Sequence, residues 1–198
     1  MNEMKPKTLI AYGTTFGATA KTAEEIARDL REKCFEVKVA NLKEEKIQGI
    51  SSYDLVVVGS GMKMGNWVGE AEDFLKHFHK DFENKELALF ISSLSPVEEK
   101  EGKAGRVART RKVGLEDKII KYNLNPIMTG MFGGIIDYNQ LGFMMRKVME
   151  VGYKSLLQKH GFKETAPGVY DLHDWDAIRN WAEALAQKAQ VMENGSNP

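Results

Sequence analysis

The sequence predicts an α/β fold: a doubly wound, five-stranded parallel sheet in the order 2-1-3-4-5, covered by helices on both faces as three αβα layers, with a helical segment inserted after the fourth strand. Two observations carry this prediction. Strand-like and helix-like patterns alternate five times along the chain, as βα units joined by right-handed crossovers require. The strands also differ in wetness. The second alternates apolar with charged residues, whereas the first, third and fourth are nearly continuous apolar runs, so the second belongs at an edge and the others inside a covered sheet.

Thr8-Leu9-Ile10-Ala11-Tyr12 is the first strand, short and mostly apolar. The helix after it places Ala20, Ala23, Ile26, Ala27 and Leu30 on one face and Lys21, Glu24, Glu25, Arg28 and Asp29 on the other. Phe35, Val37 and Val39, spaced by Glu36 and Lys38, form the half-exposed second strand. Leu55 to Val58 and Leu87 to Ile91 are the third and fourth, and Ile127 to Phe132 is the fifth. A helix from about Val68 to Phe82 turns Phe74, Leu75 and Phe78 inward. The last helix, from about Trp175 to Lys188, is capped by Asp174 and packs Ile178, Trp181 and Leu185.

In the order 2-1-3-4-5 the connections reverse direction between strands one and three, and ligands bind beyond the carboxyl ends there. Three loops meet at that point. The first, Gly13 to Thr19, combines glycines with Thr14, Thr15 and Thr19 at the start of a helix, where unpaired N–H groups and the positive end of the helix dipole suit a phosphate. A Thr-capped turn without a ligand is the alternative reading. The G-x-G-x-x-G fingerprint and the G-x-x-x-x-G-K-[ST] loop are both absent, which disfavours NAD and ATP. The second loop, Gly59 to Trp67, brings glycines that admit close approach of a flat ligand, with Met62, Met64 and Trp67 either covering a ring or stapling the next helix. Lys63 reads as a solvated loop lysine. The third, Ser92-Ser93-Leu94-Ser95-Pro96, adds hydroxyls and N–H groups, or is an ordinary serine-rich connection.

The composition, 42% hydrophobic and 28% charged over 198 residues, suits one domain over residues 1–192 followed by a frayed tail, 193–198. Twenty-eight basic residues balance 28 acidic ones, so no global field draws the chain to nucleic acid. The single cysteine rules out an internal disulfide; no signal-peptide core and no membrane-length apolar run is present, so the expected location is cytoplasmic, with peripheral membrane contact left open. Cys34 reads as a packed thiol. His77 and His79 point apart on a helix, and His160 and His173 lack evident partners, so no metal site is expected.

Thr14-Thr15-Phe16-Gly17-Ala18-Thr19 resembles the phosphate loop of flavodoxins, the proteins that exemplify the 2-1-3-4-5 order with FMN at its switch point. Gly59-Ser60-Gly61-Met62-Lys63-Met64-Gly65 and the pair Asp174-Trp175 look more like the flavodoxin-domain subfamily that includes the menaquinone-dependent protoporphyrinogen dehydrogenases. The resemblance implies FMN as cofactor, with Thr14, Thr15, Phe16, Gly17, Ala18 and Thr19 on its phosphate. It sets Ser60, Gly61, Met62, Lys63, Met64 and Gly65 around the isoalloxazine, with Ser92, Ser93 and Leu94; Trp67 joins them from the reading of the second loop. No protein nucleophile is implied, because the flavin carries the electrons and the protein tunes its potential. A mostly neutral pocket would favour a low-potential donor. Redox proteins or a quinone are the implied partners. The chain lacks the acidic run of short-chain flavodoxins, which removes the usual docking surface of those carriers.

Between Ser95 and Pro126, Lys100, Lys103, Arg106, Arg109, Arg111 and Lys112 make a basic helix, either a solvated crossover or a rim for an acidic partner or a substrate carboxylate. After the fifth strand, Leu141, Phe143, Met144, Met145, Val148 and Met149 read as core under the sheet, with a partner or quinone surface as the alternative. Tyr138 is placed near the flavin edge. An FMN-binding electron-transfer protein is the favoured function, and a quinone-linked dehydrogenase of the protoporphyrinogen type the rival. A receiver-type signalling module is disfavoured, since strand one ends in Tyr12-Gly13 rather than in acidic residues.

Overall fold

A computed structural model describes residues 5–195. Strands β1 (Lys7–Gly13), β2 (Glu36–Asn41), β3 (Leu55–Lys63), β5 (Glu86–Ser93) and β6 (Met128–Gly133) form a parallel sheet in the order β2-β1-β3-β5-β6. This is the expected topology, with one extra short strand, β4 (Asn66–Trp67), paired antiparallel to the end of β3. The wet strand β2 sits at the edge, and β3 and β5 are buried almost throughout.

Helices cover both faces because the strands present apolar residues on both. On one side Ile10, Val57, Phe90 and Phe132 pack against α1 (Ala18–Glu32) and α8 (Trp175–Gly195) through Ile26, Leu30, Ile178 and Trp181. On the other, Leu9, Val56, Val58 and Leu89 meet α2 (Gly69–Phe78) through Phe74, Leu75 and Phe78. The same cluster takes in Leu115 and Tyr122 from a helical run that leads through a π turn (Lys112–Glu116) into α5 (Asp117–Tyr122). Glu72 of α2 accepts hydrogen bonds from Lys118, Lys121 and the Tyr122 hydroxyl and so ties α2 to α5.

Four features differ from the sequence reading. The helix expected over Val68–Phe82 stops at Phe78 and resumes as a 3₁₀ turn at Asp81–Asn84. The region after β6 builds a second sheet, β7 (Ile135–Asp137), β8 (Glu164–Ala166) and β9 (Val169–Asp171), in the order β7-β9-β8, with its own small core of Val97, Ile136, Tyr138, Leu157, Tyr170 and Leu172. These strands are three residues long, too short for a periodicity to show. Cys34 is exposed rather than packed: it takes a left-handed φ of 68° where α1 ends, its N–H donating to the Arg31 carbonyl, so it serves the helix terminus and not the core. Helix α8 continues through Gly195, and the remaining residues of the expected tail, 196–198, lie outside the described residues. Among the described residues no helix is long and apolar enough to cross a membrane.

Candidate functional site

The carboxyl ends of β1, β3 and β5 lie in register, Gly13 beside Ser60 and Gly61 beside Ser92, so the three loops converge on one cleft of about 710 Å³. That volume is in the range of small-molecule and cofactor sites.

The first loop is shaped by its own hydroxyl. Thr14 Oγ1 accepts from the Gly17 N–H at 3.0 Å, and Gly17, at φ 82°, leads the chain into α1 without a side-chain cap. The first N–H groups of that helix therefore have no intrahelical or capping acceptor and stay available to an anion. Thr19, in the first turn, is completely buried, and its Oγ1 finds no partner among the described residues. Across the cleft Ser92 Oγ is in the same condition, 4% exposed and unpartnered. Two orphaned hydroxyls lining one cleft are the mark of polar groups kept for a ligand, because a buried group without a bond costs about 1–3 kcal/mol.

The second loop is a hairpin. Met64 (φ 51°) and Gly65 (φ 81°) form its two-residue turn, both with the positive φ of a type I′ turn, and Lys63 pairs with Asn66 across it. Gly61 faces the first loop so closely that a Cβ there would stand 3.3 Å from Thr19 Oγ1. In the third loop Ser93 and Ser95 share a hydroxyl bond of 2.8 Å, and the Ser93 carbonyl accepts from the Gly134 N–H at 2.9 Å, which anchors the segment after β6 to the same site.

Thirteen of the 16 residues named from the sequence line the cleft: Thr14, Thr15, Phe16, Ala18, Thr19, Gly61, Met62, Lys63, Met64, Gly65, Ser92, Ser93 and Leu94. Gly17, Ser60 and Trp67 do not. Gly17 turns the backbone behind the loop. Ser60 is buried, its Oγ accepting from the Val68 N–H at 2.9 Å at the start of α2. Trp67 is 5% exposed and donates from Nε1 to the Gly114 carbonyl at 2.6 Å. It is a staple in the core, where an indole N–H needs a buried acceptor and the helix–sheet seam supplies one. Tyr138 likewise turns away from the cleft: it is 1% exposed, packs edge-on against Tyr170 at 6.0 Å, and burial pushes its hydroxyl up to about 12.

Further lining comes from the insertion, where Arg109 belongs to the basic helix read from the sequence as either a solvated crossover or a rim, and from the segment after β6, read from the sequence as core rather than as part of the site. From the insertion Glu98, Arg109, Thr110 and Val113 line the cleft, and from the segment after β6 Gly134, Ile135, Ile136, Asp137, Leu141 and Met149 do. The run Gly133 to Asp137 follows a strand end, which was the available signal. The cleft thus carries two cations, Lys63 and Arg109, and two carboxylates, Glu98 and Asp137, so it holds charged groups that balance. Asp137 is already engaged, accepting from Asn139 N–H at 2.9 Å and from Gln140 Nε2 at 2.6 Å.

His160 and His173 do have partners. His160 bonds Glu101, joining α3 (Ser95–Lys100) to the end of α7 (Ser155–Lys159). His173 bonds the Asp171 carboxylate through Nδ1 and meets Thr22 Oγ1 (3.1 Å) and the Ala18 carbonyl (3.2 Å) through Nε2, while Trp175 stacks on its ring at 4.4 Å. Burial alone would raise the Asp171 carboxyl, but bonds from His173 and Lys21 hold it below the usual range. This cluster braces the first turn of α1, and with it the loop before it. Asp174 caps α8, accepting from the Ala177 N–H at 3.0 Å. Among the described residues no group of three or more His, Cys, Asp or Glu side chains could hold a metal ion.

The family model described as the flavodoxin domain matches residues 9–161. A curated relative, protoporphyrinogen IX dehydrogenase [quinone] of Leishmania major, is 22% identical over 187 residues, covering 94% of this chain and 77% of its own length. Flavodoxin 2 from Bacillus cereus superposes with a TM-score of 0.51 at 19% identity, covering 92% of this chain and 99% of that one. Rubredoxin oxygen:oxidoreductase from Desulfovibrio gigas superposes with a TM-score of 0.54 at 15% identity over 96% of this chain, which spans only 38% of that longer protein. The two superpositions speak for the fold.

Proposed function

This chain belongs to the flavodoxin-domain family, and on that premise we propose that it binds FMN in the cleft at the β1/β3 switch point and acts in electron transfer. The observation that carries the reading is the pair of buried, unpartnered hydroxyls, Thr19 Oγ1 and Ser92 Oγ, which line one cleft beside the first turn of α1. Bound FMN supplies one- and two-electron chemistry that side chains lack.

The chain's own residues bind, orient and shelter it. Thr15 and Thr19, with the first N–H groups of α1, would hold the phosphate, while Thr14 keeps the loop in shape by bonding Gly17. Gly61, Met62, Met64 and Gly65 on the hairpin and Ser92, Ser93 and Leu94 on the third loop would hold the ring system. The cleft's apolar lining, Met62, Leu94, Val113 and Leu141 among it, excludes water and so strengthens every polar contact inside. Lys63 and Arg109 favour whichever oxidation state carries more negative charge. A difference of about 1.4 kcal/mol between the two affinities moves a one-electron potential by about 59 mV.

Titrating the purified protein with FMN tests the proposal: flavin fluorescence should quench to a sharp end point and the protein should turn yellow. A preparation that stays colourless in excess FMN refutes it. A second reading has a specific observation behind it. Arg109 borders the cleft with no carboxylate within salt-bridge distance among the described residues, and the curated relative is a protoporphyrinogen dehydrogenase; a carboxylate-bearing reduced substrate would satisfy both. Oxidation of protoporphyrinogen with menaquinone as acceptor would establish that enzyme; exchange of electrons only with redox proteins would establish the carrier.

A further inference from the structure

The His173 side chain is 0% exposed, yet acceptors surround it. A Cβ on Gly133, at the end of β6, would stand 1.8 Å from the Leu172 carbonyl oxygen and 3.1 Å from the His173 nitrogen, so a glycine there admits the segment. Strand alternation then sorts the side chains. Tyr170 and Leu172 enter the small core of the second sheet, and Asp171 and His173 turn the other way, onto α1. The partner of Nδ1 is the Asp171 carboxylate; those of Nε2 are the Ala18 carbonyl and Thr22 Oγ1. An ionised carboxylate and a carbonyl can only accept. The Thr22 hydroxyl donates its own hydrogen to the same Ala18 carbonyl, at 3.3 Å, and so turns a lone pair to the ring. Each ring nitrogen therefore carries a hydrogen, and the ring is an imidazolium. Trp175 of α8, stacked on it with 18° between the planes, offers the π face that a cation favours.

The charged groups bonded into this cluster are Asp171 from β9 and Lys21 from α1, whose Nζ lies 3.2 Å from the second Asp171 oxygen. Two cations against one anion leave a net positive charge at the first turn of α1. The loop before that turn has none of its own, since Gly13 to Thr19 contains neither lysine nor arginine. The lining cations come from elsewhere, Lys63 from the hairpin and Arg109 from α4 (Ala104–Arg111). Nor does α6 (Phe143–Met149) supply a charge: among its described side chains Met149 alone lines the cleft, and Phe143, Met144 and Val148, read from the sequence as core, are exposed. The turn that His173 touches is the one that meets the ligand, because Ala18 and Thr19 line the cleft and the buried Thr19 Oγ1 is unpartnered among the described residues.

We propose that His173, protonated against Asp171, is a positioning residue for the FMN phosphate: it fixes the first turn of α1 and sets a positive charge beneath a loop whose own donors are neutral. This rests on the FMN reading and adds to it a counter-charge delivered from the far end of the chain.

The full chain is titrated with FMN, and with riboflavin, which has the same ring system and no phosphate, between about pH 7 and 10, where a phosphate monoester is already dianionic. Long-range proton–nitrogen NMR spectra of the same samples follow the His173 ring. Both ring nitrogens should carry hydrogen in the flavin-free protein at neutral pH. As the ring loses its proton, the dissociation constant for FMN should rise at least about tenfold while that for riboflavin stays within about twofold. Bound FMN should in turn hold the proton to higher pH, because linkage is reciprocal. His173→Gln should bind FMN at least about tenfold more weakly at neutral pH, with no further loss on raising it. A side chain that merely braced the helix would leave its proton indifferent to FMN. Three results overturn the proposal: a ring with a single protonated nitrogen at neutral pH; an FMN affinity that ignores deprotonation of the ring; or FMN and riboflavin weakening in parallel, which means a brace for the whole cleft. If His173→Gln does not fold, the measurements on the parent decide. A parent that binds no FMN refutes the cofactor reading and this inference together, whereas one that binds it equally well across the pH range refutes the inference alone.

Discussion

Replacing Thr19 by Val removes one hydroxyl and keeps the shape, and the structure predicts opposite signs for its two consequences. Thr19 is fully buried in the first turn of α1, and its Oγ1 has no partner among the described residues. In the cofactor-free protein that oxygen is a liability, since an unsatisfied buried polar group costs about 1–3 kcal/mol. Valine has the same branching at Cβ, so helix geometry and packing are retained. The apo form should therefore gain about 1 kcal/mol, a rise of about 2–4 °C in melting temperature for a chain of this size. With FMN the sign reverses. A hydrogen bond to an ionised group is worth about 1.5–3 kcal/mol, so the dissociation constant should rise about 10- to 150-fold. Differential scanning fluorimetry without flavin and a fluorescence titration with it read the two effects separately. An unchanged dissociation constant, or an apo form that melts lower than the parent, would show that Thr19 is a structural hydroxyl and that the phosphate sits elsewhere.

Two further outcomes follow from the same geometry. Gly61→Ala sets a methyl group 3.3 Å from Thr19 Oγ1 and in the cleft wall; FMN affinity should fall about tenfold or more while apo stability changes by less than about 1 kcal/mol, read by the same titration and by urea unfolding. Glu72 should make stability acid-sensitive. Burial raises its pKa, but the bonds from Lys118, Lys121 and Tyr122 outweigh that and hold it at about 2 against an ordinary 4.5. A depressed carboxyl stabilises the fold fully above the ordinary value, and the contribution is lost as pH falls from 4.5 towards 2. Allowing for solvent screening, it is worth about 1–2 kcal/mol, so Glu72→Gln should be that much less stable near neutral pH and equal to the parent in acid. A gap that persists at low pH would place the effect in packing.

The main sheet and the three loops at its switch point are legible in the amino-acid order alone. The information is local there: the burial of β3 and β5 is written as unbroken apolar runs, the edge position of β2 as alternation, and the first loop as hydroxyls set between a strand and an amphipathic helix. Topology then brings the loops together without any knowledge of side-chain direction. Side-chain direction, by contrast, is settled by packing. Trp67 and Met64 stand three residues apart, yet one is buried on the Gly114 carbonyl and the other is 84% exposed at the cleft rim, because a two-residue turn reverses the chain between them. Apart from Met145, whose side chain lies outside the described ones, the apolar residues of 141–156 divide between a second small core and open solvent for a similar reason: the partner of that helix is a sheet of three-residue strands, each too short to announce itself, and a helix face is buried only where something lies against it. His173 shows the same limit over distance, since its bonds to Thr22 and Ala18 span some 150 residues of chain and exist only once α1 and the segment before α8 have been brought side by side.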